Sequence, residues 1–298
     1  MRSKRNRIET EGFMADKKLV KKLDKDALEI RLKLLKLCEQ TLIHVGGDLS
    51  VADLMTVIWQ YAIRYDIKNP HWEERDRFIL SKGHASAATS FCQAMKGCYT
   101  YDEIYREYCT DNGRFAMHSC NLLNPYVDVS TGSLGHGLPV ATGIAQGLRL
   151  KGNLQSRVYV VMGDGELNEG TMWEAVAVAR QYKLGNIVGF VDCNHMSFDG
   201  RSKDVLDMGN LADKFRLYGW HAIEADGHDI GALIDVLDEL PGPESKVPVV
   251  IVADTIKGRG VGFMENSAAW HAGKIDCESR KKAEQELIAA FEQKWGGQ

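Results

Sequence analysis

The chain lacks a basic excess, a long apolar run and any paired cysteine motif. Its 37 lysines and arginines against 41 aspartates and glutamates leave a formal charge of −4, which offers no electrostatic footprint for a phosphate backbone. No apolar stretch reaches the roughly eighteen residues that a helical membrane span needs. Neither nucleic acid nor a membrane is therefore expected as a partner. The seven cysteines, at positions 38, 92, 98, 109, 120, 193 and 277, are odd in number and contain no C-x-x-C pair. They are expected to be reduced thiols in a cytoplasmic protein, with neither a disulfide framework nor a zinc site. Arg2, Lys4, Arg5 and Arg7 make a basic start without the apolar segment of a secretory signal. Residues 1–13 are expected to be a disordered extension, and residues 14–298 a single domain without internal repeats.

What is present suits one chain of a soluble enzyme. With 298 residues and 44% apolar content, it can fill a substantial core. Residues 17–43 carry leucines at helical spacing, and Ser50 is placed to cap a second helix running to Tyr61. Apolar runs at 77–80, 157–162, 187–191, near 220–223 and at 247–253 read as strands. Helical segments are expected at 84–96, 136–150, 168–183 and 230–240, with a terminal helix after residue 274, and Val127-Asp128-Val129 leads into a glycine-punctuated loop. Continuous Val/Ile strands separated by helices predict an α/β fold, a doubly wound, mostly parallel sheet with helices on both faces. Ligands then belong at the carboxyl ends of the strands.

The Gly163-Asp164-Gly165 turn falls at such an end, and Asn194 follows thirty positions later, after the next predicted strand. Two hard oxygen donors at adjacent strand ends suit Mg²⁺, which takes one or two protein ligands and completes its shell with waters and phosphates. The glycines let backbone amides approach an anion, and the helix that follows points its positive end there. Gly132-Ser133-Leu134-Gly135 repeats that logic ahead of another helix. A bare Gly-Asp-Gly is more often an ordinary turn; the surrounding strand, helix, strand and Asn raise its weight. Single histidines beside glycine are likewise usually loop residues, so only their joint occurrence carries an argument.

The block GDGELNEGTMWEAVAVARQYKLGNIVGFVDCNHMSFDG resembles the thiamine diphosphate motif in its transketolase form. Four further segments extend the resemblance: His44-Val45-Gly46-Gly47-Asp48-Leu49-Ser50, Ser81-Lys82-Gly83-His84-Ala85, Ser130-Thr131-Gly132-Ser133-Leu134-Gly135-His136-Gly137, and His271 beyond Lys257-Gly258-Arg259-Gly260. Together they look like the amino-terminal half of a transketolase, with the thiamine diphosphate-binding fold. The resemblance implies thiamine diphosphate with Mg²⁺, or with Ca²⁺ or Mn²⁺ in its place, held by Asp164, Asn194 and the Met196 backbone carbonyl. It implies that His84, Gly132, Ser133, Leu134, Gly165, Asn194 and His271 bind the cofactor. It further implies that His44, His84, His118 and His271 serve catalysis, His118 at the donor's terminal hydroxyl, and that Glu169 meets the partner's catalytic glutamate across a subunit interface. Glu174, Met172, Trp173, Val176 and Val178 are read as structural, as are His71, His195, His221 and His228, while His136 stands where many members have Gln.

By the same resemblance, the reaction is transfer of a two-carbon ketol unit from a ketose, usually phosphorylated, to an aldose. The partner is expected to be a second transketolase subunit with the pyrimidine-binding and carboxyl-terminal domains, in an α2β2 assembly. Alternatives are a subunit of another thiamine diphosphate enzyme, such as a 2-oxo acid dehydrogenase α chain or a deoxyxylulose-phosphate synthase-like protein, and a non-catalytic cofactor-binding subunit. The chain departs from the family at Val45, where proline is usual, and at Met117-His118-Ser119-Cys120 with the unusual Asn121-Leu122-Leu123-Asn124-Pro125-Tyr126 after it. Those departures imply a branched or otherwise modified ketose.

Overall fold

Side-chain alternation along five short strands decides the architecture. The computed structural model describes residues 15–296; the expected extension over residues 1–13 lies outside them. The strands are β1 (Arg77–Leu80), β2 (Val158–Gly163), β3 (Ile187–Cys193), β4 (His221–Asp226) and β5 (Val249–Asp254). They form one sheet in the order β1-β2-β3-β5-β4, and every pairing is parallel.

Phe78, Leu80, Tyr159, Val161, Val188, Phe190, Ile251 and Ala253 turn to one face. Ile79, Val158, Val160, Met162, Ile187, Val191, Val250 and Val252 turn to the other. Because both sets are apolar, both faces need cover, as a parallel sheet does. On the first face lie α1 (Lys17–Gln40), α2 (Val45–Val57) and α3 (Ser86–Lys96). The short α4 (Tyr101–Glu107) packs on α3, its start fixed by a capping box between Thr100 and Glu103. On the second face lie α5 (Gly137–Leu150) and α6 (Gly170–Gln181), followed by α7 (Ser202–Val205), one exposed turn, and α8 (Leu211–Leu217), which returns to the sheet. The first face is completed by α9 (Ile230–Asp238) and α10 (Cys277–Trp295).

The expected strands and helices are present, with displaced ends. The last strand begins at Val249, not at 247, because Pro248 has no N–H to give the ladder. The fourth begins at His221, and residues 127–129 form no strand. Helix α1 stops at Gln40 instead of 43, and α6 starts at Gly170 because Gly165–Asn168 forms a separate 3-10 turn.

The main correction concerns Ser50. Helix α2 starts at Val45, and all thirteen of its residues are buried. Ser50 lies inside it, donating its hydroxyl to Asp192 Oδ2 at 2.7 Å and lying 3.0 Å from the Gly47 carbonyl. The hydroxyl that suggested a cap is spent on a tertiary partner and on the preceding turn. Among the described residues no helix is long and apolar enough to cross a membrane.

Candidate functional site

The carboxyl ends of β2 and β3 deliver the two oxygen donors side by side. Gly163 pairs in register with Asp192, and the Asp164 N–H donates to the Asp192 carbonyl at 3.2 Å. Asp164 is buried, with Oδ2 accepting from Ser202 Oγ at 2.8 Å. Burial and the nearby Asp192 carboxylate push its carboxyl up, against the Ser202 hydrogen bond. A cation at Asp164 would relieve that penalty. Asn194 donates through Nδ2 to Asp192 Oδ2 at 2.9 Å and accepts at Oδ1 from the Met196 N–H at 3.1 Å. Its amide oxygen is thus turned toward the 196–201 loop, which is closed by hydrogen bonds from Ser197 N to Gly200 O and from Ser202 N to His195 O.

Asp192 itself is held in its charged form. Burial opposes the charge, but the Lys82 ammonium overcomes it, helped by the hydroxyls of Thr255 and Ser50. That pair leaves Lys82 neutralised. Lys257 differs: it is buried, yet its Nζ meets the Ser197 carbonyl at 3.3 Å and His271 Nδ1 at 2.9 Å, with no carboxylate among these partners. Burial, reinforced by Lys82, pushes the Lys257 ammonium down to about 8. A buried cation so placed is suited to an anionic ligand.

The four histidines converge from four separate segments. His44 caps the start of α2 without a side-chain cap bond, His84 sits in the 3-10 turn after β1, His118 in the loop before α5, and His271 after the Ala268–Trp270 turn. The antiparallel bridge between Ile43 and Gly273 draws the last segment to the first. The His44 ring centroid lies 5.4, 5.5 and 5.3 Å from those of His84, His118 and His271, and His84 and His271 are 5.4 Å apart. Burial, with the His118, Lys82 and Lys257 charges adding, pushes His44 down to about 4; burial and Lys257 do the same to His271. His84 is held well below its ordinary value and His118 is also lowered, both by burial first. These imidazoles are neutral at pH 7, as proton shuttling to alkoxides requires.

The glycine loop lies against them. Gly132 has φ +153°, and a Cβ there would stand 3.3 Å from the His118 ring; Gly135 has φ +85°, and its Cβ would stand 2.6 Å from Glu169 Cβ. Ser133, Leu134, His136 and Glu169 are exposed, while Gly165 and Met196 are half-buried. Among the described residues, His136 reaches the nearby Leu134 carbonyl, at 3.2 Å. His228 is structural, bridging Asp53 and the Ile256 N–H.

Two site residues carry no signal of their own in the sequence. Lys257 stands in a glycine-containing loop, and nothing local marks it as buried. Glu166, the acid after Gly165, is also buried; its carboxylate accepts from Ser81 Oγ and, at 3.0 Å each, from the Gly135 and Gly163 N–H groups. It ties the turn after β1, the glycine loop and the Asp164 turn to one another.

The donor set fits a metal-bound diphosphate. Asp164 and Asn194 supply hard oxygens, Lys257 a cation, and His44 Nδ1, Thr131 Oγ1 and Ser197 Oγ are buried without a hydrogen-bond partner. A family model described as the thiamine diphosphate-binding domain of transketolase matches residues 30–295. The chain is 34% identical over 245 residues to a 6-deoxy-6-sulfo-D-fructose transketolase subunit of Clostridium sp. (strain MSTE9), covering 82% of this chain and 88% of that protein. It is 36% identical over 251 residues to an apulose-4-phosphate transketolase subunit of Actinobacillus succinogenes, covering 84% and 90%. Among solved structures, the transketolase of Campylobacter jejuni superposes with a TM-score of 0.78 at 25% identity, over 92% of this chain but 43% of that one. The chain thus spans less than half the length of that solved transketolase.

Proposed function

Because this chain belongs to the transketolase family, matching its thiamine diphosphate-binding domain, we propose that it is the diphosphate-side subunit of a two-chain transketolase. It acts in the cytoplasm, over residues 14–298, with a second chain that brings the pyrimidine-binding and carboxyl-terminal domains in an α2β2 assembly. Relatives named as subunits match nearly end to end, which supports the division into two chains. The observation that carries the reading is the meeting of Asp164 and Asn194 at adjacent strand ends with four neutral histidines whose rings stand 5.3 to 5.5 Å from a neighbour in the set.

Asp164, Asn194 Oδ1 and the Met196 carbonyl hold the divalent cation, Mg²⁺ by the hardness of that set, with Ca²⁺ or Mn²⁺ able to replace it. Gly132, Ser133, Leu134 and Gly165 bring backbone groups to the cofactor, and Lys257 adds a charge opposite the diphosphate. When bound, the cofactor supplies the nucleophile and the electron sink for breaking the donor's carbon–carbon bond. His84 and His271 border the cofactor, His44 and His271 move protons at substrate hydroxyls, and His118 holds the donor's terminal hydroxyl. Glu169 is exposed beside the glycine loop, where it meets the partner's catalytic acid.

The donor is a branched or modified ketose. Support comes from the loop over residues 118–126, which departs from the usual family pattern, and from relatives named for 6-deoxy-6-sulfo-D-fructose and for apulose 4-phosphate, neither of them xylulose 5-phosphate. The test is a donor screen on the reconstituted complex, with xylulose 5-phosphate, branched or sulfonated ketoses, and pyruvate. Ketol transfer from a modified ketose is expected to exceed that from xylulose 5-phosphate. Turnover of pyruvate alone would move the chain to the 2-oxo acid or deoxyxylulose-phosphate class, and cofactor binding without turnover of any donor would make it a non-catalytic subunit.

A further inference from the structure

Beside the proposed Mg²⁺ ligands lies a second group of donors of different chemical character. Asn194 is flanked by Cys193 and His195, and Asp164 faces both: one ligand atom from each of Asp164, Cys193 and His195 lies within 4.8 Å of the others. Cys193 Sγ and His195 Nδ1 are 3.9 Å apart. A tetrahedral Zn²⁺ site places such sulfur, nitrogen and oxygen atoms about 3.5 Å apart, given metal–ligand bonds of about 2.0 to 2.3 Å. A small rotation of the exposed His195 ring brings the Cys193–His195 separation of 3.9 Å to that value.

An independent feature points the same way. His195 Nε2 lies 2.7 Å from Asp254 Oδ1. A carboxylate at Nε2 holds the proton there and leaves the Nδ1 lone pair free on the Cys193 side, the arrangement by which ligating histidines are oriented in metal sites. The His195 backbone takes φ +60°, a left-handed conformation at the turn that follows Asn194. All four residues line a cavity of about 910 Å³ at the carboxyl ends of β3, β4 and β5, so a fourth coordination position opens to solvent. None of the four proposed catalytic histidines lines that cavity.

We propose that Cys193, His195 and Asp164, with Asp254 orienting His195, form a binding site for a soft or borderline divalent cation of the Zn²⁺ class, distinct from the hard-oxygen site at Asp164, Asn194 and Met196. Thiolate and imidazole select such a cation over Mg²⁺. On binding, the Cys193 thiol proton leaves to solvent and the sulfur donates its freed pair to the metal. Since Asp164 belongs to both sets, occupancy by the soft cation excludes Mg²⁺ and with it the cofactor. Binding itself does not depend on the transketolase reading; the exclusion does.

The experiment titrates the purified full chain, without thiamine diphosphate, with Co²⁺ as spectroscopic probe and Zn²⁺ as competitor. One equivalent of Co²⁺ is expected to give a sulfur-to-cobalt charge-transfer band that Zn²⁺ abolishes. Cys193→Ser is expected to lose the band, and Asp254→Asn, a change at an exposed residue, to weaken binding about 10- to 100-fold. An unchanged band in Cys193→Ser assigns the thiolate to another cysteine and overturns the site, as does unaltered affinity in a folded Asp254→Asn for the orienting role. A second titration adds Mg²⁺ and thiamine diphosphate: their failure to displace Zn²⁺ overturns the exclusion while leaving the site standing. Failure of the protein to bind thiamine diphosphate under any condition counts instead against the transketolase reading.

Discussion

Asp164 carries its charge next to a second carboxylate, Asp192, that Lys82 already neutralises, so a metal ion is the natural partner for the charge left over. Asp164→Ala and Asn194→Ala are each expected to abolish measurable binding of thiamine diphosphate with Mg²⁺ in calorimetric titration. Met196→Leu, which keeps the backbone carbonyl, should leave the affinity near that of the parent. Unchanged affinity in Asp164→Ala would remove the basis of the metal assignment. The histidines make a separate claim on pH. His271 is pushed down to about 4 by burial and by Lys257, against about 6.5 in an unfolded chain. The unfolded chain therefore takes up a proton that the folded one refuses, and stability is lost as the pH falls from about 6.5 toward 4. His271→Asn should make the unfolding free energy, followed by urea titration, less steep over that window by up to one proton. An equal slope in parent and variant would show that the ring titrates normally in the folded protein.

Helix α2 is the element on which the site hangs. It is buried on every side, and three of its polar residues are bound to other parts of the fold: Asp53 to Arg31 and His228, Ser50 to Asp192, and Asp48 to the Ala88 N–H. Through Ser50, Asp192 and Lys82 it joins the turn after β1 to the end of β3. Lys82→Met leaves Asp192 as an unpaired buried charge and is expected to cost about 3–5 kcal/mol of stability, read by chemical denaturation. A loss of less than about 1 kcal/mol, the worth of an exposed pair, would mean that water reaches Asp192. The start of this helix was not legible in the sequence, since Ser50 followed by an apolar stretch has the look of a cap. Its burial reverses that reading, because a helix inside the protein can use serine for tertiary bonding.

At the scale of the whole molecule, the proposed site opens at the ends of the strands with Glu169, Ser133 and Leu134 exposed beside it. On the two-chain reading the purified chain should show negligible ketol transfer, with activity appearing when the partner chain is added. Ordinary turnover by the chain alone, shown by mass spectrometry to be free of a second polypeptide, would refute the division.

The sequence by itself determined the parallel sheet, the helices on both faces and the placing of Asp164 and Asn194 at neighbouring strand ends. These follow from local apolar runs and from a turn whose glycines and spacing are written in consecutive residues. It also supplied the histidines one by one, though not their meeting. Only the tertiary structure decided that His44, His84, His118 and His271 share one site, that Lys257 is buried facing His271, and that Glu166 ties three turns together. The same holds for Cys193 and His195, whose spacing is no metal motif until the fold turns Asp164 and Asp254 toward them. Burial and long-range charge, which push the four histidines and Lys257 down and Glu166 up, are properties of packing between segments and have no counterpart in local spacing.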